Sequence, residues 1–464
     1  MLSFLKKPIS KEQIAKILQT TPEALAAFEE AYQKQVLTEP VSDNLFEINA
    51  KQAAEMHVDV LSGDYPELHD MILRIVNELI AQTLIWEFDG KTGRTKEALF
   101  EVSKPVTLEE IKKLPPELQP QLTGNYMKKD ISEPSYPILL EMYQHFLTEK
   151  NPQKRKGFYD RFRQGLDILD LDPVTYEMIG TNPNSIGYWL PNITKAVVKQ
   201  GFFKIPKTTI IKVPLPLLQL TRQPYEELTQ TTRDIVNKFC QKVFSLDINK
   251  EYFLKTGTYS SKFDFRNAHV WSPHEVLEIG EYLLFIHFQA LMMASPLNNR
   301  CIYGVSTTNE WVVREFIPDI ESNPTIYKGL PLRTEYRVFV DFDTQDVIGI
   351  NPYWDPDVMR KRFTQDAKDN IHDRHDYFTY QCNEETLMKR YNDNKETIMS
   401  KVKALLPNID NLSGQWSIDV MQNGNDFWII DMHLAQNSAY YTECVPENLR
   451  TPLEENWIPK IEVK

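Results

Sequence analysis

Apolar positions along this chain follow two rhythms, and the change between them falls near residue 200. Ser10-Lys-Glu-Gln13 has the spacing of a capping box, and Thr21-Pro22-Glu23 sets a cap before a first-turn proline, so two short helices are expected. The first carries Ile14, Ile17 and Leu18 on one face, the second Leu25, Phe28 and Tyr32. Met71, Ile72, Ile75, Val76, Leu79 and Ile80 recur at three-and-four spacing and predict a longer helix from Pro66 to about Trp86. Leu114-Pro115-Pro116 through Pro137 is rich in proline and polar residues and reads as a link. Pro137 then starts a helix holding Leu139, Leu140, Tyr143 and Phe146.

From about Gly201 the period shortens. Lys207 to Val213 reads as a strand, Tyr225 to Phe244 as a helix and Tyr252 to Lys255 as a second strand. Further strands are expected at Trp311 to Ile317, Glu335 to Asp341, Val347 to Ile350, Trp416 to Met421 and Phe427 to Asp431. Asp341 to Asp346 and Asn423-Gly-Asn425 suit hairpin turns, since Asn and Gly tolerate positive φ. The pattern divides the chain into a helical N-terminal domain over 1–180 and a mixed domain over 181–464, an α+β class of fold.

Composition removes several functions. With 464 residues, 42% hydrophobic and 25% charged, the chain is globular in character. A net charge of −13 repels a phosphate backbone, so general nucleic-acid binding is not expected. Cys240, Cys301, Cys382 and Cys444 are far apart and form no C-x-x-C pair, which argues against a zinc knuckle or a disulfide framework. The apolar stretch at the start is too short for a signal-peptide core, and no run of about 18 apolar residues follows that would span a bilayer. The expectation is a soluble, cytoplasmic protein with no membrane partner.

Four segments carry candidate chemistry. In Phe253-Leu-Lys255-Thr-Gly-Thr-Tyr-Ser-Ser-Lys262-Phe-Asp264 a strand ends on a lysine, then a loop of small hydroxylated residues follows. Such a loop brings backbone N–H groups and a lysine charge to phosphate oxygens, although a lysine at a strand end is ordinarily a solvated surface charge. Trp311-Val-Val-Arg314-Glu315-Phe316-Ile317-Pro318 is an apolar strand running into a hinge, the kind of slot an adenine ring needs. By itself it also reads as a buried strand with a solvated charged pair. In Leu332-Arg333-Thr-Glu335-Tyr-Arg337, the period of two puts Arg333, Glu335 and Arg337 on one strand face. Glu335 there would meet ribose hydroxyls or Mg²⁺ and an arginine would fork onto a phosphate, or the three form a cross-strand ion pair. Trp416-Ser-Ile-Asp419-Val and Phe427-Trp-Ile-Ile-Asp431-Met-His433 offer two carboxylates on paired strands, enough to share one Mg²⁺ with phosphates and water.

In this order the segments resemble the ATP-grasp superfamily, most closely the eukaryotic cell-division-cycle family of ATP-grasp proteins that help assemble translation initiation factor two. The resemblance covers roughly Ile205 to Tyr441. It implies an ATP-grasp core of two α+β subdomains over about 185 to 445, with nucleotide between their sheets. Carried over by motif, Lys255, Ser261, Lys262, Arg314, Glu315, Phe316, Ile317, Glu335 and Arg337 would bind ATP, and Asp419 and Asp431 would hold Mg²⁺. Asp264 matches the aspartate that follows the basic residue. The family usually ends its last strand with Asp-Phe-Asn, where this chain has Asp431-Met-His433, so His433 joins the metal set and Mn²⁺ becomes an alternative ion. Thr194-Lys195-Ala-Val-Val-Lys199-Gln-Gly201 resembles the place of a first phosphate-binding lysine, with Lys195 and Lys199 both open.

Two functions follow from that resemblance. One is an ATP-dependent carboxylate-amine ligase, passing through an acyl phosphate, with Lys255 and Arg337 as catalytic residues and an unidentified carboxylate substrate. The other is a non-catalytic or slowly hydrolysing ATP-binding assembly factor for a protein partner. His372-Asp-Arg-His375 is read as a solvated connection, Tyr440-Tyr441 as core or pocket wall, and Lys154-Arg-Lys156 with Arg161 and Arg163 as a solvated basic face.

Overall fold

The structure, a computed structural model, describes residues 10–18, 20–27, 66–96, 104–122, 135–168, 171, 173–294, 304–366 and 371–451. Within it two mixed-order sheets face each other, and helices cover their outer sides. The first sheet has six antiparallel strands in the order β2-β1-β4-β7-β5-β6: β1 (Leu84–Phe88), β2 (Gly93–Lys96), β4 (Thr208–Lys212), β5 (Tyr252–Thr256), β6 (His269–Val270) and β7 (Glu310–Glu315). The second has five in the order β11-β10-β12-β13-β3: β3 (Phe203–Lys204), β10 (Glu335–Asp341), β11 (Asp346–Pro352), β12 (Gln415–Asn423) and β13 (Asp426–Leu434). Only β3 joins in parallel there, alongside β13. A small ribbon pairs β8 (Thr325–Ile326) with β9 (Leu330–Pro331).

Alternation along each strand sorts its side chains between a helix-covered face and a face turned to the other sheet. In the first sheet Tyr252, Leu254, Trp311, Val313 and Ile211 join a core with the helices Pro66–Ala81, Gln230–Phe244 and Ile279–Ala294. In the second, Tyr336, Val338, Val340, Trp416, Ile418, Val420, Ile429 and Met432 pack with the helices Ile186–Gln200 and Ile371–Leu405. The opposite faces carry charged residues together with a few apolar ones such as Phe253 and Met421, and they build the site.

Most expected elements are present. Ser10 and Gln13 form a reciprocal capping box on Lys11–Ile17, and Thr21 caps a second helix over residues 22–27 by accepting from the Ala24 N–H. Leu25 is buried in that cluster, while Phe28 and Tyr32 lie outside the described residues. Both hairpins form: Gln345 (φ 55°) turns β10 into β11, and Gly424 (φ 64°) turns β12 into β13.

Four expectations need correction. The helix from Pro66 stops at Ala81, not near Trp86. Thr83 turns its hydroxyl back onto the Leu79 carbonyl (2.7 Å), and Leu84-Ile-Trp-Glu-Phe88 becomes β1. Those aromatic and β-branched residues suit a strand, but the partner that decides it, β4, lies beyond residue 200. The N-terminal 180 residues are therefore not purely helical, and the first sheet runs across the boundary placed there. His372 and His375 lie in the 35-residue helix Ile371–Leu405 and not in a connection. Pro137 lies inside a helix that begins at Ser135.

Candidate functional site

The inner faces of the two sheets enclose a cleft of about 310 Å³, of the size of a small-molecule site. From the first sheet come Phe253 and Lys255 of β5 and Arg314 and Glu315 of β7. The second supplies Glu335 and Arg337 of β10, Asp419 and Met421 of β12, and Ile430, Asp431 and His433 of β13. The segment after β7, with Phe316 and Ile317, closes one side, and the loop 258–263 closes another.

One wall is apolar. Phe253, Phe265 and Phe316 form a ladder of rings with centroids 5.9 and 6.1 Å apart, and His269 stacks behind Phe316 at 3.9 Å. Met421 and Ile430 face them from the second sheet. Arg333 fixes this edge without entering the chemistry: it donates to the Ile317 carbonyl (2.7 Å) and to Asp319 (3.2 Å). Glu315 turns its carboxylate away to Lys250 (2.7 Å) and Lys207 (3.5 Å).

The other wall is ionic and closely matched. Lys255, 1% exposed, donates to Asp431 at 2.9 Å, and Arg337 holds Asp419 in a two-pronged pair at 2.8 and 2.7 Å. Asp419 and Asp431 stand opposite one another on β12 and β13. Lys262 lies 4.0 Å from Glu335 and 3.7 Å above the Tyr353 ring. Counting Lys255, Lys262, Arg314 and Arg337 against Glu335, Asp419 and Asp431, one positive charge is left over among these cleft residues.

That surplus belongs to Arg314. Its side chain is buried, one nitrogen donates to the Ile430 carbonyl (2.5 Å), and Nε and Nη2 have no partner. Burial pushes its pKa down to about 10, only partly opposed by Asp431. Burial also lowers Lys255, with Arg314 adding to it and Asp431 pulling the other way. Asp431 itself is held well below the carboxylate range: burial would raise it, but Lys255, His433 and Arg314 outweigh burial. Burial raises Glu335, and Asp419 adds to that against Lys262; one of its oxygens, Oε2, also lacks a hydrogen-bond partner. Burial keeps His433 low, hence neutral near pH 7.

The irregularity that exposes this chemistry is a β-bulge. Asp419 pairs with Asp431 while Val420 pairs with Ile429, so Ile430 is an extra residue on β13. Strict alternation from Phe427 would put Asp431 on the core face with Ile429; the bulge returns it to the cleft.

Of the residues picked out from sequence, Lys255, Lys262, Arg314, Glu315, Phe316, Ile317, Glu335, Arg337, Asp419, Asp431 and His433 all line this one cleft. Ser261 is not among its lining residues, and its hydroxyl donates to Gln289 (3.0 Å). Asp264 pairs with Lys328 at 2.8 Å. Lys195 and Lys199 are both exposed on the helix Ile186–Gln200, and Lys199 donates to Asn408. Sequence reasoning passed over Phe253, Phe265, Met421 and Tyr353 as walls; period two from Asp419 already places Met421 beside it on the same face. Gly257 admits no side chain, since a Cβ there would fall 2.1 Å from the Ser185 hydroxyl.

Two unpartnered nitrogens on a buried guanidinium beside an apolar wall fit a phosphate-bearing aromatic ligand. Asp419, Asp431 and His433 share the cleft, but among the described residues no cluster of three or more metal-ligating side chains is arranged to hold an ion. Mg²⁺ commonly uses only one or two carboxylates plus phosphates and water, so a carboxylate pair of this kind would suit such an ion.

No family model and no curated protein matches the chain. Among solved structures it is similar to C-terminally truncated Cdc123 from Schizosaccharomyces pombe, with 16% identity and a TM-score of 0.33 over 58% of this chain and 92% of that one. A second structure of Cdc123 from the same organism gives 14% identity and a TM-score of 0.32 over 56% and 85%. A TM-score of that size falls below what establishes a shared fold, so the cleft must be read from its own geometry. No helix among the described residues is long and apolar enough to cross a membrane.

Proposed function

We propose that the cleft binds ATP with Mg²⁺, Mn²⁺ being the alternative ion, and that the protein works as an ATP-binding module for a protein partner. The observation that carries this reading is Arg314, a buried guanidinium with two free nitrogens at the meeting point of an apolar and an ionic wall. A buried charge without a counter-ion is costly, and a phosphate oxygen would relieve it. The base would lie against Phe253, Phe265, Phe316 and Met421, and Lys262 and Arg314 would face the phosphates, with Lys255 and Arg337 holding Asp431 and Asp419 beside them. Glu335, whose Oε2 lacks a hydrogen-bond partner, would take a ribose hydroxyl or the ion. Asp419 and Asp431 would contribute to the ion, which neutralises phosphate charge when bound, with His433 beside them in the cleft.

The carboxylate-amine ligase reading adds phosphoryl transfer to an acceptor. It needs Lys255 and Arg337 directed at the transferring group, and in this structure both are committed to Asp431 and Asp419. Binding without rapid turnover is the reading this favours.

Calorimetry with ATP and Mg²⁺ tests it, with ADP release followed in parallel across a panel of carboxylates. Wild type should bind, and Arg314→Ala should weaken binding by about tenfold or more, the scale of losing a charge-assisted hydrogen bond. No heat in wild type would end the nucleotide reading. Carboxylate-dependent ADP formation would restore the ligase.

A further inference from the structure

Between the helix Pro173–Gly180 and the helix Ile186–Gln200 runs a short polar strap, Asn182-Pro-Asn184-Ser185, whose side chains Asn182, Asn184 and Ser185 are all buried. Solvent-facing turns use these residue types for their own local hydrogen bonds. Here most of the bonds go to distant parts of the chain, at or near the ends of strands. Asn182 donates to the Thr307 carbonyl (2.8 Å) and Ser185 to Glu310 at the start of β7 (2.7 Å). The backbone N–H of Ile186 donates to the carbonyl of Gly257, just past the end of β5 (2.9 Å). Asn184 reaches the second sheet, accepting from the N–H of Leu434 at the end of β13 (2.7 Å) and donating to Asn437 (3.0 Å).

Ser185 occupies the N-cap position of the helix Ile186–Gln200, yet its hydroxyl makes no capping bond. Glu310 takes over from another element: its carboxylate accepts from the Gly187 N–H at 2.9 Å. An anion at a helix N-terminus is favourable, which helps this buried carboxylate stay where it is.

The strap therefore grips β5 two residues beyond Lys255 and β13 three residues beyond Asp431. Those two side chains form the ion pair that spans the cleft from sheet to sheet. We infer that Asn184 and Glu310 are positioning residues, which through this strap set the separation of the two sheets at which Lys255 meets Asp431. They touch neither the cleft nor its ligand. Only the consequence for ATP affinity rests on the nucleotide reading above; the geometry of the pair does not.

Lysine acylation read by mass spectrometry on the full-length protein tests this without any nucleotide. Lys255 should be protected in wild type while exposed Lys195 reacts freely. Asn184→Ala should raise the Lys255 rate by about tenfold, the signature of a local opening, and leave unchanged the half-buried Lys242, which lies outside the cleft on the helix Gln230–Phe244 and donates to Asn77. Asn184→Asp keeps the acceptor for Leu434 and should restore protection. A folded Asn184→Ala protein with Lys255 still protected overturns the inference, as does an equal rise at Lys242, which would mean general loosening. If Asn184→Ala does not fold, Glu310→Gln is judged by the same ratio. Should wild type bind no ATP, the proposed function falls and the labelling result still decides this one.

Discussion

His287 shows how a single buried side chain sets a property of the whole chain. Its Nδ1 accepts from the Trp311 indole at 3.1 Å, and burial, with Arg222 adding, holds its pKa at about 3 against a normal 6.5. Below pH 6.5 the unfolded chain takes up a proton that the folded chain refuses until about pH 3, so stability falls as pH drops across that window. The slope from this one residue is at most about 1.4 kcal/mol per pH unit. His287→Asn keeps an acceptor for Trp311 and should flatten the fall, as urea midpoints taken at intervals between neutral and acid pH will show. Nothing in the sequence marks His287, because an isolated histidine on an apolar helix declares neither burial nor partner. Arg314 was legible as a cation leading into a hinge. Its want of a counter-ion was not, since that depends on where Asp431 and Ile430 come to rest in the other sheet.

Strands were the most readable elements. Period two located β5, β7, β10, β12 and β13 within three residues at each end and put Glu335 and Arg337 on one face. It could not show the bulge at Ile430, because an added residue inside an apolar run leaves no polar mark. The bulge leads to a clean expectation. Deleting Ile430 leaves Ile429 directly before Asp431, restores unbroken pairing with β12, and keeps Asp431, Met432 and His433 on their present faces. The deletion variant should thus fold, with cooperative urea unfolding. It should also lose ATP affinity in calorimetry, because the Ile430 carbonyl that anchors Arg314 is displaced. A variant that fails to fold would show that the bulge serves stability and not the cleft.

On the scale of the molecule, the change of rhythm near residue 200 is real, but it does not separate independent units. β1, inside the N-terminal part, pairs with β4, and Ile75, Val76 and Leu79 of the helix Pro66–Ala81 pack with Val236 and Phe239 in one core. A fragment comprising 181–464 should therefore be poorly soluble, with the β4 edge and the face carrying Ile211 uncovered. A fragment starting at residue 66 should unfold cooperatively; differential scanning calorimetry and size-exclusion chromatography of the two decide the matter. The parallel partnership of β3 with β13 has a consequence in time. During synthesis the first sheet can close once β7 has emerged, whereas β3 must wait, unpartnered on that side, for almost the whole remaining chain. The cleft needs both sheets, so it is among the last parts of the protein to exist, and a nascent chain can acquire its first lobe well before it has anywhere to hold a nucleotide.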